Sequence, residues 1–235
     1  MVLDTIAYHP SLTKLIKYLD STAGREKTLR LIQYLVRFLA FYAKTNGFSI
    51  QLIQLFKSIQ ANATFVRKAL RFLKPLNHFQ DAVKAYNDKL SDRILSVSTV
   101  IRNAAYFGYL SLDSFAWFKI LGLISTKNFP KATKYANWFW FIGLAAGLTN
   151  DFRKISITRS QISSVNESEK DDDEKLKGLQ LENYKASRKL IWDLLDTFIV
   201  LNNLGFLSND DGQIGLAGTL TSIFGVQDLW NATKI

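Results

Sequence analysis

The sequence predicts an all-α protein, an integral membrane helical bundle preceded by N-terminal amphipathic helices. Three observations predict it. Only three Pro and twelve Gly interrupt the 235 residues, so long helices are permitted almost throughout. The first part repeats apolar residues at helical spacing with cations opposite. The later part holds four segments that are apolar almost all round, as expected of helices that face lipid or a core on every side.

The amphipathic helices come first. Leu12, Leu15, Ile16 and Leu19 share one face of residues 10–20, with Lys14 and Lys17 opposite. Gly24 breaks that pattern. From Arg25 to Tyr42, Leu29, Ile32, Leu35, Val36 and Leu39 form an apolar face, and Arg30, Gln33 and Arg37 form the opposite stripe. Asn46-Gly47 signals a turn. A longer amphipathic stretch then runs from Ile50 to Leu90. Within it Phe65, Leu70, Phe72, Leu73 and Phe79 belong to a broad apolar face, and Arg67, Lys68, Arg71 and Lys74 line its edge. Pro75 interrupts this stretch. Because the pattern resumes beyond it, the spacing predicts a bend in one continuous helix rather than a stop.

The four apolar segments follow, at 103–126, 135–150, 190–207 and 212–227. A strand competes for the last, where Gly, Thr and Ile are frequent. A spanning helix needs about 20 apolar residues. Tyr135, Trp138 and Trp140 suit an interfacial belt, and Gly143 and Gly147 form a small-residue step for helix packing. Asp113, Asp193 and Asp196 are candidate intramembrane polar groups, which must face helices or water. Pairing inside a bundle is one reading of them, with Lys189 four residues before Asp193. A hydrated solute path is the other. Between the second and third segments lies a polar, acid-rich stretch, read as a solvated linker. Its Ser163, Ser164 and Ser168 precede acids and are candidate phosphorylation sites.

The expected organisation is therefore a basic amphipathic region (1–95), a hydrophobic helical pair (96–150), a linker (151–188) and a C-terminal hydrophobic pair (189–235). Charge supports the division. The net charge is +10, with sixteen Lys/Arg against six Asp/Glu in residues 1–102 and fourteen of each thereafter. A basic half beside apolar segments points to an anionic lipid surface. No nucleic-acid motif accompanies the cations, so nucleic acid is not an expected partner. If all four segments span, the positive-inside rule places both termini in the cytosol.

No catalytic set can be assembled. His9 and His78 have no carboxylate pattern nearby and read as surface or interfacial. Gly212, Gly215 and Gly218 fit neither nucleotide fingerprint. There is no cysteine. Neither metal, cofactor nor enzymatic activity is expected.

Four stretches together resemble a known family: "GREKTLRLIQYLVRFLA" (24–40), "FVRKALRFLKPLNHFQDAVKAY" (65–86), "NWFWFIGLAAGLTNDFRK" (137–154) and "RKLIWDLLDTFIVLNNLGFL" (188–207). The chain is similar to the peroxin-11 family of peroxisomal membrane proteins in its fungal form. That resemblance implies a protein of the peroxisomal membrane that elongates the membrane and promotes fission and proliferation. It implies insertion of the helix at 57–86 into the cytosolic leaflet, self-association, and cooperation with dynamin-type fission machinery. A metabolite pore is the alternative it carries. The residues expected to touch lipid are Phe65, Arg67, Lys68, Leu70, Arg71, Phe72, Leu73, Lys74, Pro75 and Phe79.

Overall fold

The structure is a computed structural model that describes residues 7–88, 92–125, 127, 129–167 and 173–234. Those residues form eight helices and no strand: α1 (Pro10–Asp20), α2 (Thr22–Thr45), α3 (Ile50–Leu70), α4 (Pro75–Asn87), α5 (Arg93–Ile120), α6 (Ala132–Glu167), α7 (Asp173–Leu204) and α8 (Asp211–Ala232). The all-α class is as the sequence predicts, and the competing strand at 212–227 is helix α8.

Short polar side chains start several of these helices. Ser21 accepts from the Gly24 N–H at 2.9 Å, Asp92 from the Ile94 and Leu95 N–H groups at 3.0 and 3.2 Å, and Asp210 from the Gln213 N–H at 2.8 Å. Each satisfies amides that have no partner inside the helix. Gly47 and Gly205 sit at φ 71° and 83° just beyond α2 and α7, a backbone region that favours glycine.

The chain forms two compact units. Residues 1–72 and 207–235 make one, and residues 73–206 make the other. This division differs from the four expected regions, because the last helix returns to pack on α1 and α2. In the first unit α2 is central and packs on α8, α3 and α1. In the second unit α4 packs on α5, α5 on α6, and α6 on α7. No other helix pair of that unit makes close backbone contact among the described residues. The second unit is therefore an open layer of helices rather than a closed bundle.

Three expectations need correction. Pro75 does not bend a continuous helix. Helix α3 ends at Leu70, Arg71–Lys74 form a turn, and Pro75 opens α4. The turn is tightened by bonds three residues apart, from the Arg71 N–H to the Lys68 carbonyl and from the Phe72 N–H to the Ala69 carbonyl, both 3.2 Å. At the first position of a helix proline loses nothing, since that N–H has no helical partner anyway. The two halves of the expected wedge thus belong to different units.

The acid-rich linker is the second. Its described part is helical, with α6 running to Glu167 and α7 starting at Asp173. Ile155, Thr158 and Ala186 are buried along it, and the Thr158 hydroxyl lies 3.2 Å from Asn183 Oδ1. Asp173 and Glu174 in the first turn of α7 complement the helix dipole. A thin apolar strip holds these helices together and is hidden among polar neighbours in the sequence.

The third concerns the spans. The segments 135–150 and 212–227 lie inside α6 and α8, whereas 103–126 and 190–207 run past the ends of α5 at Ile120 and α7 at Leu204. Among the described residues no helix is long and apolar enough to cross a membrane.

Candidate membrane-binding surface

The distribution of side chains reverses the usual one. None of the seventeen Phe is buried. Nine of the nineteen buried apolar residues are alanine, and the fully buried set includes Asp193, Thr221 and Ser222. Large apolar side chains ordinarily fill a protein interior, and charges almost never do. Here small and polar residues share the helix contacts with Leu144, Ile199 and Val200, while most Phe, Leu and Ile side chains are half-buried or exposed. Helices that associate in an apolar medium are built this way.

In the first unit, the stripe expected to face solvent turns inward. Arg30 is buried, donates to the Thr221 hydroxyl at 3.0 Å and lies over the Tyr34 ring. On the apolar face Ile32 and Leu35 are exposed, while Val36 is buried. Arg67 behaves likewise. It is 6% exposed, so it does not line a lipid-facing edge. Its Nε and Nη2 donate to Glu26 Oε1 at 3.0 and 2.7 Å, and its Nη1 donates to Gln33. Burial and the neighbouring Arg71 lower its pKa, against the opposing pull of Glu26. Arg67 therefore ties α3 to α2. Lys68, Leu70, Arg71 and Phe65 are half-buried, while Val66 and Phe72 are exposed.

Helix α8 approaches α2 through Gly212, Gly215 and Gly218. A Cβ on Gly215 would lie 2.7 Å from the Phe38 amide nitrogen. On Gly212 or Gly218 it would strike the ring of Phe41 or Tyr34. The sequence reading tested these glycines only against nucleotide fingerprints. Spacing by three on a helix was the missed signal, since it puts small residues on one face.

In the second unit, α4 exposes Leu76, Phe79, Val83 and Tyr86, with Leu73 just before it. Their spacing of three and four makes one apolar stripe. Pro75 is buried beneath it, and Lys74 is half-buried. The opposite side of α4 rests on α5, where the His78 ring stacks on Tyr106 at 5.3 Å and Nδ1 lies 3.0 Å from Asn103 Oδ1. His78 is thus a packing residue, not a surface one, and burial lowers its pKa.

The polar residues of the later segments meet inside this unit. Asp193 is 1% exposed and pairs with Lys189, as their spacing predicts. It also binds Arg102 of α5, with Nη1 at 2.8 Å from Oδ2. Arg102 reaches α7 by passing Gly147 of α6, where a Cβ would sit 2.5 Å from Asp193 Oδ2. At Gly143 a Cβ would meet the Tyr106 ring at 3.1 Å. Asp196 is buried and accepts from the Trp192 indole at 3.1 Å, and Asp113 is also buried. Asp151 joins the cluster. It is 3% exposed, and its Oδ2 has no hydrogen-bond partner. Burial and then the charge of Asp193 push its pKa up to about 6, with Lys189, Arg102 and Lys154 opposing. Arg102 and Asp151 were not singled out from sequence, because each sits among polar neighbours that disguise its burial.

Ser163 and Ser164 are exposed on α6, and Ser168 lies outside the described residues. No group of three or more His, Asp or Glu that could hold a metal occurs among the described residues.

The sequence profile of the family described as peroxisomal biogenesis factor 11 matches residues 12–230. The chain belongs to this family. It is 44% identical to peroxisomal membrane protein PMP27 of Saccharomyces cerevisiae, over 99% of this chain and 100% of that one. It is 41% identical to peroxisomal membrane protein PMP30B of Candida boidinii, over the full length of both. Peroxisomal biogenesis factor 11 of Schizosaccharomyces pombe is 22% identical over 94% of this chain and 96% of its own. No solved structure matches. The family of peroxisomal biogenesis factor 11 is named for organelle biogenesis, not for a reaction.

Proposed function

We propose that the chain is a peroxisomal membrane protein that remodels the organelle surface, elongating it and promoting fission and proliferation. The observation that carries this reading is the reversed packing, with charges inside and large apolar side chains outside. In water each exposed Phe or Leu forfeits part of the roughly 1.5–3 kcal/mol that full burial supplies. A lipid leaflet restores it.

The apolar stripe of α4 (Leu73, Leu76, Phe79, Val83, Tyr86) is the face proposed to enter the cytosolic leaflet. A helix lying in the interface buries its apolar face by about 5–10 Å. Inserted on one side only, it expands that leaflet and favours positive curvature. Lys68 and Lys74, with the basic surplus of the first 102 residues, supply attraction to anionic headgroups. The termini lie in the cytosol in this reading. Self-association spreads the wedge over a tubule, and dynamin-type machinery completes fission.

The experiment uses the purified full chain and anionic vesicles viewed by electron microscopy. Tubules are the expected result. Saturating binding with no change in vesicle shape overturns the remodelling reading. A pore is less well supported, because Asp193 is 1% exposed and paired with Arg102 and Lys189 instead of lining water.

A further inference from the structure

A groove of about 330 Å³ lies between α5 and α6, within the second unit. Ile94, Val97 and Ile101 form one wall, each about half exposed. Ala146 and Thr149 of α6 form the low opposite side. The groove exists because α6 presents small residues where α5 presents branched ones. Its volume falls within the range of about 300–1,000 Å³ usual for ligand sites.

The polar atoms along it are already engaged. The Ser98 hydroxyl donates to the Leu95 carbonyl at 3.1 Å and accepts from Asn150 at 2.9 Å. The Thr149 hydroxyl donates to the Ala145 carbonyl at 3.0 Å. A peptide backbone or a polar metabolite laid here would lose hydrogen bonds to water and gain few in return. An alkyl chain loses none. Arg93 stands exposed at one end, with no ion-pair partner among the described residues. From Arg93 to Ile101 the groove runs about 12 Å along α5, at about 1.5 Å per residue.

We infer that this groove binds one acyl chain of an anionic phospholipid, with Arg93 on the headgroup phosphate. The groove is separate from the α4 stripe. It selects an individual lipid rather than a leaflet in general. The inference rests on the lipid-facing reading above, but it can fail or hold independently of remodelling.

The test uses purified full chain and a single-chain lysophosphatidylserine carrying a photoactivatable diazirine in its acyl chain, dispersed without vesicles. Mass spectrometry maps the labelled residues. Label concentrated on 94–101 and 146–149 is expected. Thr149→Trp, which fills the groove, should remove most of it. Ile101→Lys, at an exposed wall position, should do the same should the tryptophan variant not fold. Arg93→Gln should lower labelling about fivefold, the worth of one cation near an anionic headgroup. Labelling by the monoacylglycerol analogue, which carries no phosphate, should change little.

Label spread evenly over the exposed apolar faces, or unmoved by both groove variants, overturns the inference. Loss of self-association in the groove variants with lipid labelling unchanged assigns the groove to a second copy and also overturns it. Vesicle tubulation is measured in parallel. Its absence overturns the remodelling reading and leaves the labelling result to decide the groove.

Discussion

Replacing Arg67 by Ala should damage the fold before it damages lipid binding. The guanidinium is 6% exposed and makes three hydrogen bonds, two to Glu26 and one to Gln33. Truncation leaves Glu26, itself 4% exposed, as a buried anion without its main counter-charge. Removing one partner of such a pair costs about 3–5 kcal/mol. For a chain of this size each kcal/mol moves the melting temperature by about 2–4 °C, so a fall on the order of 10 °C is expected. Circular dichroism melting of the full chain measures it. A surface headgroup contact would instead be worth about 1 kcal/mol and leave melting unchanged. The double exchange Glu26→Arg with Arg67→Glu should recover part of the loss, since it restores opposite charges across α2 and α3. The reasoning is refuted if Arg67→Ala melts as the parent does while vesicle affinity falls.

Replacing Leu76, Phe79 and Val83 together by Ser should weaken vesicle binding by about two orders of magnitude. These side chains are 60%, 58% and 45% exposed, so each has about 1 kcal/mol still to gain in lipid. Vesicle co-sedimentation reads the affinity, and an unchanged melt confirms that only the surface moved. Gly218→Leu should destabilise the first unit by several kcal/mol, because its side chain would occupy the space of the Tyr34 ring. Denaturant unfolding measures that, and Gly178→Leu, where nothing lies within 4 Å, is the control. Asp151 gives a pH signature. Its folded pKa of about 6 lies above its ordinary value of 3.8, so the folded state binds the extra proton. Stability from this group should therefore rise as pH falls from 7 through 6 toward 4. Asp151→Asn should remove that slope and stabilise the chain at pH 7 by on the order of 2 kcal/mol. A parent and variant with parallel pH profiles would contradict it.

Which elements form was legible in the sequence, because helical periodicity and capping are local properties. Residues 10–20, 25–42, 135–150 and 212–227 fall inside observed helices, and most of 103–126 and 190–207 does. Which face of each helix turns inward was not. Leu29, Ile32, Leu35, Val36 and Leu39 made one apolar face of α2, yet of these only Val36 is buried, and the covered stripe contains Glu26, Arg30 and Tyr34. Periodicity fixes that two faces differ and is silent on which one meets protein when the other can meet lipid. The pairing of Lys189 with Asp193 was readable at four residues' separation, but the reach of Arg102 past Gly147 depends on three helices and has no local mark. Pro75 was misread for a related reason. The apolar pattern continues across it because α3 and α4 are each amphipathic, not because they are one helix.

The route of the chain through its two units sets an order of assembly. Residues 73–206 leave the ribosome as one uninterrupted piece, with every helix of their unit adjacent in sequence. Helix α2 is made far earlier, yet its partner α8 arrives last. Arg30 must wait 191 residues for Thr221, and Arg37 waits 174 for Asp211. Until then Tyr34, Phe38 and Phe41 have no glycine face to rest on. The inner piece can therefore mature during synthesis, whereas the outer one can close only once residues 211–232 have been made. A newborn chain would spend that interval as a client for a chaperone.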